Sequence, residues 1–435
     1  LDTTNNHLSI LYIMHLHQIG EGEDVMDYSK YFLMINEEDE EETARIVIDY
    51  TLTKTGEFIP WDQATMEAHI PSEHGNLNHV CRVTDQAGHS IYIKQAGLET
   101  RISKDLTATV DRNRQESEIL QIEEKLAPGM VPHIYFYDTT MSACGMEDCS
   151  DFIVMRDAML EHKTYPRFAD EISTFMVNTL LYTSDIVMDH KEKKELTRRF
   201  ITPDLDDITE KLVLMEPYLG AKRNHIYEPN RDFIQRELYQ DEALHLAVSK
   251  LKFNFMNNAQ ALLHGDLHTG SVFIKPDAIK VFDCEFGTFA PMGYDIGNVV
   301  ANMIFAYDNG LSTGDDKFCD WCLDTIEETI DLFIDKFNAA YDQAVTEPMA
   351  KVPGFKEDYL ASILRDTAGY AGTELHRRTV GMANVLDVTS ITDPDCRLRA
   401  ERLNILAGKE FILHQEDYQT GDDYVKTILR LTEEL

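Results

Sequence analysis

The chain has 435 residues, of which 77 are acidic and 40 basic, for a formal net charge of -37. That length exceeds one ordinary core and predicts two or three domains, and so anionic a surface repels nucleic acid and anionic lipid. An anionic ligand has to be drawn in by a few local lysines, arginines or metal ions.

The most apolar run near the N-terminus, LSILYIMHLHQI at 8–19, is short, carries His15 and His17, and has no Lys or Arg before it. It is neither a signal peptide nor a membrane span. Residues 1–25 are polar, acidic and weakly periodic, so they read as an N-terminal extension with Met26 as the native start. The acidic run EEDEEE at 37–42 reads as a solvated helix start in preference to an acidic interaction patch.

Short alternating runs follow, NLNHVCRVT, HSIYIKQA, HIYFYDTT and SACGMED, punctuated by DQAG and PGMVP. They predict antiparallel strands. Between the second and third, residues 104–125 place Leu106, Val110, Ile119, Leu120 and Ile122 among charges, as one helix does. Residues 26–148 are therefore expected to form a small lobe of antiparallel sheet plus one helix. Residues 149–435 are expected to form a large, mainly helical lobe, with helices over 166–188, 204–214, 240–262, 315–345, 371–386 and 395–416. Within it, SVFIK and AIKVFDCEF around Pro276 and Asp277 predict a β-hairpin. The fold class is α+β and bilobal. Repeats and low-complexity linkers are not evident. Seven scattered cysteines in a chain of this size suggest reduced thiols in the cytoplasm. Cys319 and Cys322 make one CxxC with no second pair to complete a zinc site, which favours a structural role.

Three acidic clusters carry the chemistry, HGDLHTGS from 264, VFDCEF from 281 and PMGYDIG from 291. Asp283 follows Asp266 by 17 residues, close to the separation of the catalytic-loop and metal-binding aspartates of protein kinases. Asp266, on a loop after the apolar AQALLHG, taken as a helix end, can accept a proton from an acceptor hydroxyl. Asp283 and Glu285 alternate on what reads as a strand, so both project to one face and can hold Mg²⁺. Asp295 suits an anchor for the catalytic loop. His264 and His268 have the spacing of zinc ligands on a helix, but Gly265 and Gly270 argue against a helix there. Lys94 ends the strand IYIK, from which a lysine can reach ATP phosphates, with Glu116 or Glu118 of the next helix as its partner. Gly75, Asn76 and neighbouring amides offer only a poor phosphate loop. Arg377 and Arg378 lie on a helix. Glu374 explains one of them by an i,i+4 ion pair, and the two reach a single anionic site only from a helix end or a cleft.

These motifs, together with YPRFADEISTF, LLYTSD, RFITPDLDDITEKLV and ELHRRTVG, closely resemble the 5-methylthioribose kinases from about residue 30 to 415. Ser271, where protein kinases have Asn, is typical of that family. It is similar in fold to aminoglycoside phosphotransferases and choline kinases and belongs to methionine salvage. The resemblance implies a protein kinase-like fold, ATP and Mg²⁺ as cofactors, and transfer to the 1-hydroxyl of 5-methylthioribose in a cytoplasmic homodimer. It implies Asp266 as catalytic base, Asp283 and Glu285 as metal ligands, and Lys94 at the phosphates. It further implies Met146, Glu147 and Asp148 as the adenine-binding hinge, and Arg377 and Arg378 near the acceptor.

The sequence departs from the family pattern at Glu73 and His74, which precede Gly75 where GDGNLN is usual. It departs also at Cys284, central in DPE, and at GTFAPMGYD in place of AFYGPMGFD. Every carboxylate is spared. The alternatives are another acceptor (a sugar, an aminoglycoside or choline), a catalytically silent kinase-like binding protein, or a metal-dependent phosphohydrolase.

Overall fold

The computed structural model describes residues 32–36, 39–71, 78–97 and 109–435. The proposed extension, Met26, Gly75, Asn76 and Leu106 lie outside the described residues.

Helix α1 (Glu40–Thr55) starts at Asp39, whose carboxylate accepts the Glu42 amide, and its first turn is acidic where the helix dipole favours negative charge. The described part of the acidic run, residues 39–42, is thus a helix start, and Glu37 and Glu38 lie outside the described residues. α1 packs on the first strands of a five-stranded sheet made of β1 (Glu67–His69), β2 (Asn78–Thr84), β3 (Ser90–Ala96), β4 (Ile134–Asp138) and β5 (Ala143–Met146). The strand order is β1-β2-β3-β5-β4 and every pairing is antiparallel. Val47, Trp61, Val83, Ile91 and Ile93 fill the core between sheet and α1. Among the described residues the small lobe therefore has two helices where the sequence reading has one. α1 escapes that reading because its buried positions are mainly threonines, Thr43, Thr51 and Thr55 beside Val47, which weakens the apolar period.

The second helix, α2 (Arg112–Leu126), buries Ile119, Leu120 and Ile122 in the core of the large lobe. It is the structural tie between the lobes. Beyond it come β6 (Ile153–Val154), α3 (Met155–Leu160), α4 (Phe168–Met176), α5 (His190–Arg199), α6 (Pro203–Leu212) and α7 (Glu242–Asn257). Ala261 and Leu262, taken from sequence as a helix end, instead form strand β7, paired with β10 (Phe289–Ala290). The helix stops at the Asn258 cap, and the buried dipeptide satisfies its backbone across the catalytic loop. β8 (Val272–Lys275) and β9 (Ala278–Val281) form the expected hairpin, with β6 on its other edge.

The remaining large helices are α8 (Gly293–Thr313), α9 (Asp316–Ala344), α10 (Phe355–Val380), α11 (Pro394–Leu413) and α12 (Gly421–Glu434). α10 starts 16 residues before the expected 371 and ends at Gly381. Its front half has scattered charges and little periodicity, so only packing declares it. α8 is buried from Gly293 to Gly310 and crosses α10 at Gly297, where a Cβ would stand 2.5 Å from the Ala371 amide nitrogen. Among the described residues no helix is long and apolar enough to cross a membrane. Cys319 and Cys322 are buried on α9, and burial raises both thiols, which suits a packing role.

His376, buried in α10, stands between the Tyr218 hydroxyl at 3.1 Å and the Ile405 carbonyl at 3.0 Å. Burial pulls it down to about 4, so it folds neutral. Between that value and the unfolded value of about 6.5 the unfolded chain binds more protons, so stability falls as pH drops through this window, by up to about 3 kcal/mol from this group. In thermal unfolding, His376→Gln is expected to be less stable than the parent at pH 7 but to lose less of its stability between pH 6.5 and 4; equal acid losses would count against this account.

Candidate active site

The loop that carries Asp266 lies between β7 and β8, and its backbone can run there only under two constraints. Gly265 has φ +85°, and a Cβ on it would come within 2.1 Å of the Phe286 carbonyl oxygen. Glycine alone tolerates both. Asp295, in the first turn of α8, accepts the His264 amide at 2.7 Å and the Gly265 amide at 3.1 Å, which is the anchoring role expected for it. His264 pairs its Nε2 with the Phe282 carbonyl at 2.8 Å and its Nδ1 with the Asp266 amide at 3.3 Å, joining this loop to the next. His268 turns instead to Asp266 at 3.2 Å and Ser271 at 3.3 Å. The two histidines serve different partners, unlike a shared ligand pair.

Asp283 and Glu285 do not lie on a strand, contrary to expectation. β9 ends at Val281, and Asp283 takes φ +68°, a left-handed conformation that breaks side-chain alternation. Both residues nonetheless line the same cavity of about 660 Å³ between the lobes, together with Lys94, Glu116 and Asp266. The convergence comes from the turn.

Lys94 Nζ donates to Glu116 at 2.7 Å and to Asp283 at 2.6 Å, so of the two glutamates left open by the sequence Glu116 is the partner. Glu118 pairs with Arg114 and Arg199. Burial opposes the Lys94 charge, but Asp283, Glu116 and Glu285 hold it well above the ordinary lysine value. Glu285 accepts from Asn78 at 2.9 Å and lies 3.6 Å from Arg112. Burial, and then the Asp283 charge, push Glu285 up to about 8.

At the opposite side, Arg377 and Arg378 sit in the last turn of α10, the helix end that the geometry of adjacent residues demands. Glu374, fully buried, accepts from both arginines, and both reach Asp266 Oδ1, Arg377 at 2.6 Å and Arg378 at 3.5 Å. The ion pair anticipated for Arg378 is thus a buried four-residue network. Burial works against charge on Asp266, but the His268 ring and the two arginines hold its carboxyl well below the usual range. His268 is drawn down to about 4 by burial and stays neutral near pH 7.

Met146 and Glu147 line the cavity with Cys149 and Ser150, where the chain passes from one lobe to the other. Asp148 is instead tied to Arg82 by a 2.7 Å hydrogen bond. The sequence reading missed Asn78, Arg112, His268 as a partner of Asp266, and Arg156, whose side chain also lines the cavity. Asn78 closes the run GNLN and was legible; the others are single residues whose role depends on what folds beside them.

The phosphotransferase enzyme family model matches residues 197–328, the stretch that holds the loop carrying Asp266 and the turn carrying Asp283 and Glu285. The methylthioribose kinase of Geobacillus sp. (strain WCH70) is 35% identical over 364 residues, covering 82% of this chain and 90% of that protein. That of Bacillus cereus (strain 03BB102) is 36% identical over 342 residues, covering 78% and 86%. The chain belongs to the phosphotransferase enzyme family. It is a kinase of small molecules with a protein kinase-like fold. Among solved structures, the choline kinase of Cryptosporidium parvum Iowa II is 12% identical with a TM-score of 0.47, covering 90% of this chain and 96% of its own. The ethanolamine kinase of Plasmodium vivax is 15% identical with a TM-score of 0.43, covering 85% and 88%.

Because Gly265 combines positive φ with a backbone crossing, Gly265→Ala is expected to cost about 3 kcal/mol or more in denaturant unfolding and to abolish phosphotransfer. A variant of parental stability and activity would show that the loop does not depend on this crossing.

Proposed function

We propose that this phosphotransferase moves the γ-phosphoryl group of ATP to the 1-hydroxyl of 5-methylthioribose, giving 5-methylthioribose 1-phosphate and ADP. The observation that carries the reading is the division of one cavity between Lys94, Asp283 and Glu285 on one side and Asp266 with Arg377 and Arg378 on the other. The relatives named methylthioribose kinase support the choice of acceptor.

In this reading Lys94, oriented by Glu116, neutralises ATP phosphates, and the chain at Met146, Glu147 and Asp148 meets adenine. Gly75 and Asn76 cover the phosphates. Asp283 and Glu285 would hold Mg²⁺. The fit rests on their chemistry: two hard oxygen donors crowded in one cavity, where burial and the Asp283 charge raise the proton affinity of Glu285 and a divalent cation would relieve that repulsion. Bound there, the metal ion supplies charge neutralisation for the triphosphate. Asp266 accepts the proton of the attacking hydroxyl. Its low pKa makes it a weak base, so it orients the hydroxyl first and takes the proton late, as a loose phosphoryl transition state requires. The arginines and neutral His268 hold the carboxylate in place. We place the lobe boundary between residues 148 and 149; the resemblance carries the further reading of a homodimer in methionine salvage, and the scattered cysteines that of a cytoplasmic protein.

The test is ADP release with Mg·ATP and 5-methylthioribose beside ribose, choline and kanamycin. Turnover is expected with 5-methylthioribose, reduced about a thousand-fold or more in Asp266→Asn. In Lys94→Met the KM for ATP is expected to rise and kcat to fall. ATP binding without acceptor-dependent release would overturn the reading in favour of a silent binding protein, and turnover confined to another acceptor would replace the substrate.

A further inference from the structure

Arg156 is the cation of the cavity that the scheme above leaves without a task. It lies in the first turn of α3 and lines the cavity with Asp266, His268 and Arg378. Its side chain is only 20% exposed, and its Nε and Nη2 are buried without a hydrogen-bond partner among the described residues. Its ion-pair partner, Asp387 Oδ2, stands 3.6 Å from Nε, beyond hydrogen-bond reach, and that oxygen has no hydrogen-bond partner among the described residues. Nη1 lies against Gly270 and His268: a Cβ on Gly270 would come within 2.8 Å of Nη1 and 2.9 Å of His268 Cε1. Glycine at 270 leaves the space the guanidinium fills, directly beside the ring that holds Asp266.

The electrostatics of this corner are incomplete. Arg377 and Arg378 are each met by Glu374 and Asp266, whereas Arg156 has one loose partner and is depressed first by burial and then by the neighbouring Arg378 charge. Two guanidinium groups this close repel each other, and a tetrahedral oxyanion between them turns the repulsion into attraction while using donors that now lack acceptors. A neutral sugar does not compensate charge. The group that becomes anionic next to Asp266 during the reaction is the phosphate on the former acceptor hydroxyl.

We propose that Arg156 and Arg378 form a subsite for the phosphate group of the phosphorylated product, a sugar phosphate dianion. The inference rests on the phosphotransferase reading of the cavity and goes beyond it by assigning a residue that distinguishes product from acceptor. The competing role for Arg156 is purely structural, fastening the start of α3 to the segment at Asp387.

Calorimetric titration of the full chain separates the two. The ligands are 5-methylthioribose, 5-methylthioribose 1-phosphate and inorganic phosphate, and the proteins are the parent, Arg156→Met and Arg156→Lys, with melting temperatures recorded alongside. Loss of one charged hydrogen-bonding partner predicts roughly ten- to a hundred-fold weaker binding of the sugar phosphate and of inorganic phosphate in Arg156→Met. Binding of the unphosphorylated sugar should stay within about threefold, and Arg156→Lys should recover part of the loss. Equal weakening of sugar and sugar phosphate, no change in either, or no phosphate binding by the parent would overturn the proposal. Binding of inorganic phosphate that depends on Arg156, in a parent that ignores both methylthioribose ligands, would keep the subsite and remove the acceptor proposed above.

Discussion

The structure turns on the compensation of crowded carboxylates. Glu116, Asp266, Asp283 and Glu285 line one cleft in a chain that already carries a net charge of -37. Buried or half-buried acids so close together raise one another's proton affinity, as the value of about 8 for Glu285 shows. The cleft holds its charge because cations from both lobes are set among the acids: Lys94 from β3, Arg112 from α2, and Arg377 and Arg378 from the end of α10. Removing one partner of such a network leaves a buried charge without compensation, which is far costlier than losing an exposed ion pair.

The fold delivers those cations through its most rigid parts. β3 is an inner strand of the small-lobe sheet, α2 is sunk into the large-lobe core, and α10 is clamped between α8 and α11. Of the acids, Glu116 comes from α2, whereas Asp266, Asp283 and Glu285 come from loops and turns. Positive φ at Gly265 and Asp283 marks where regular structure gives way, and Asp295 on the buried helix α8 ties the first of those turns to the core. Irregular backbone is held in a defined shape by regular elements on either side, and the polar groups freed by the irregularity are satisfied across the two loops by His264.

The overall field and the local field have opposite signs, and both matter. The anionic surface turns polyanions away, while the arginine and lysine side chains concentrate positive potential inside a narrow space with low-dielectric walls. The neutral state of His268 is part of this balance: it supports Asp266 by a hydrogen bond without adding another positive charge beside three arginines. A small anion is thereby favoured over a large one.

The legible portion of this protein was local. Periodicity marked four of the five small-lobe strands, the hairpin at 272–281 and most large helices, and motif spacing singled out Asp266, Asp283 and Glu285, which share one cavity, because strand period, turn residues and motif spacing are properties of short stretches of chain. Helix α1, the first half of α10 and strand β7 were not legible, since threonines, scattered charges and an apolar dipeptide take their structure from what packs on them. Tertiary structure alone chose Glu116 over Glu118 for Lys94, brought Arg377 and Arg378 onto Asp266, placed Arg156 in the cleft and set the buried Arg112 beside Glu285. By itself the sequence determined which acids and cations are available and at what spacing; which of them meet was decided by the fold, because a charge pair depends on distance across the lobes and on burial, and neither quantity is written in the order of residues.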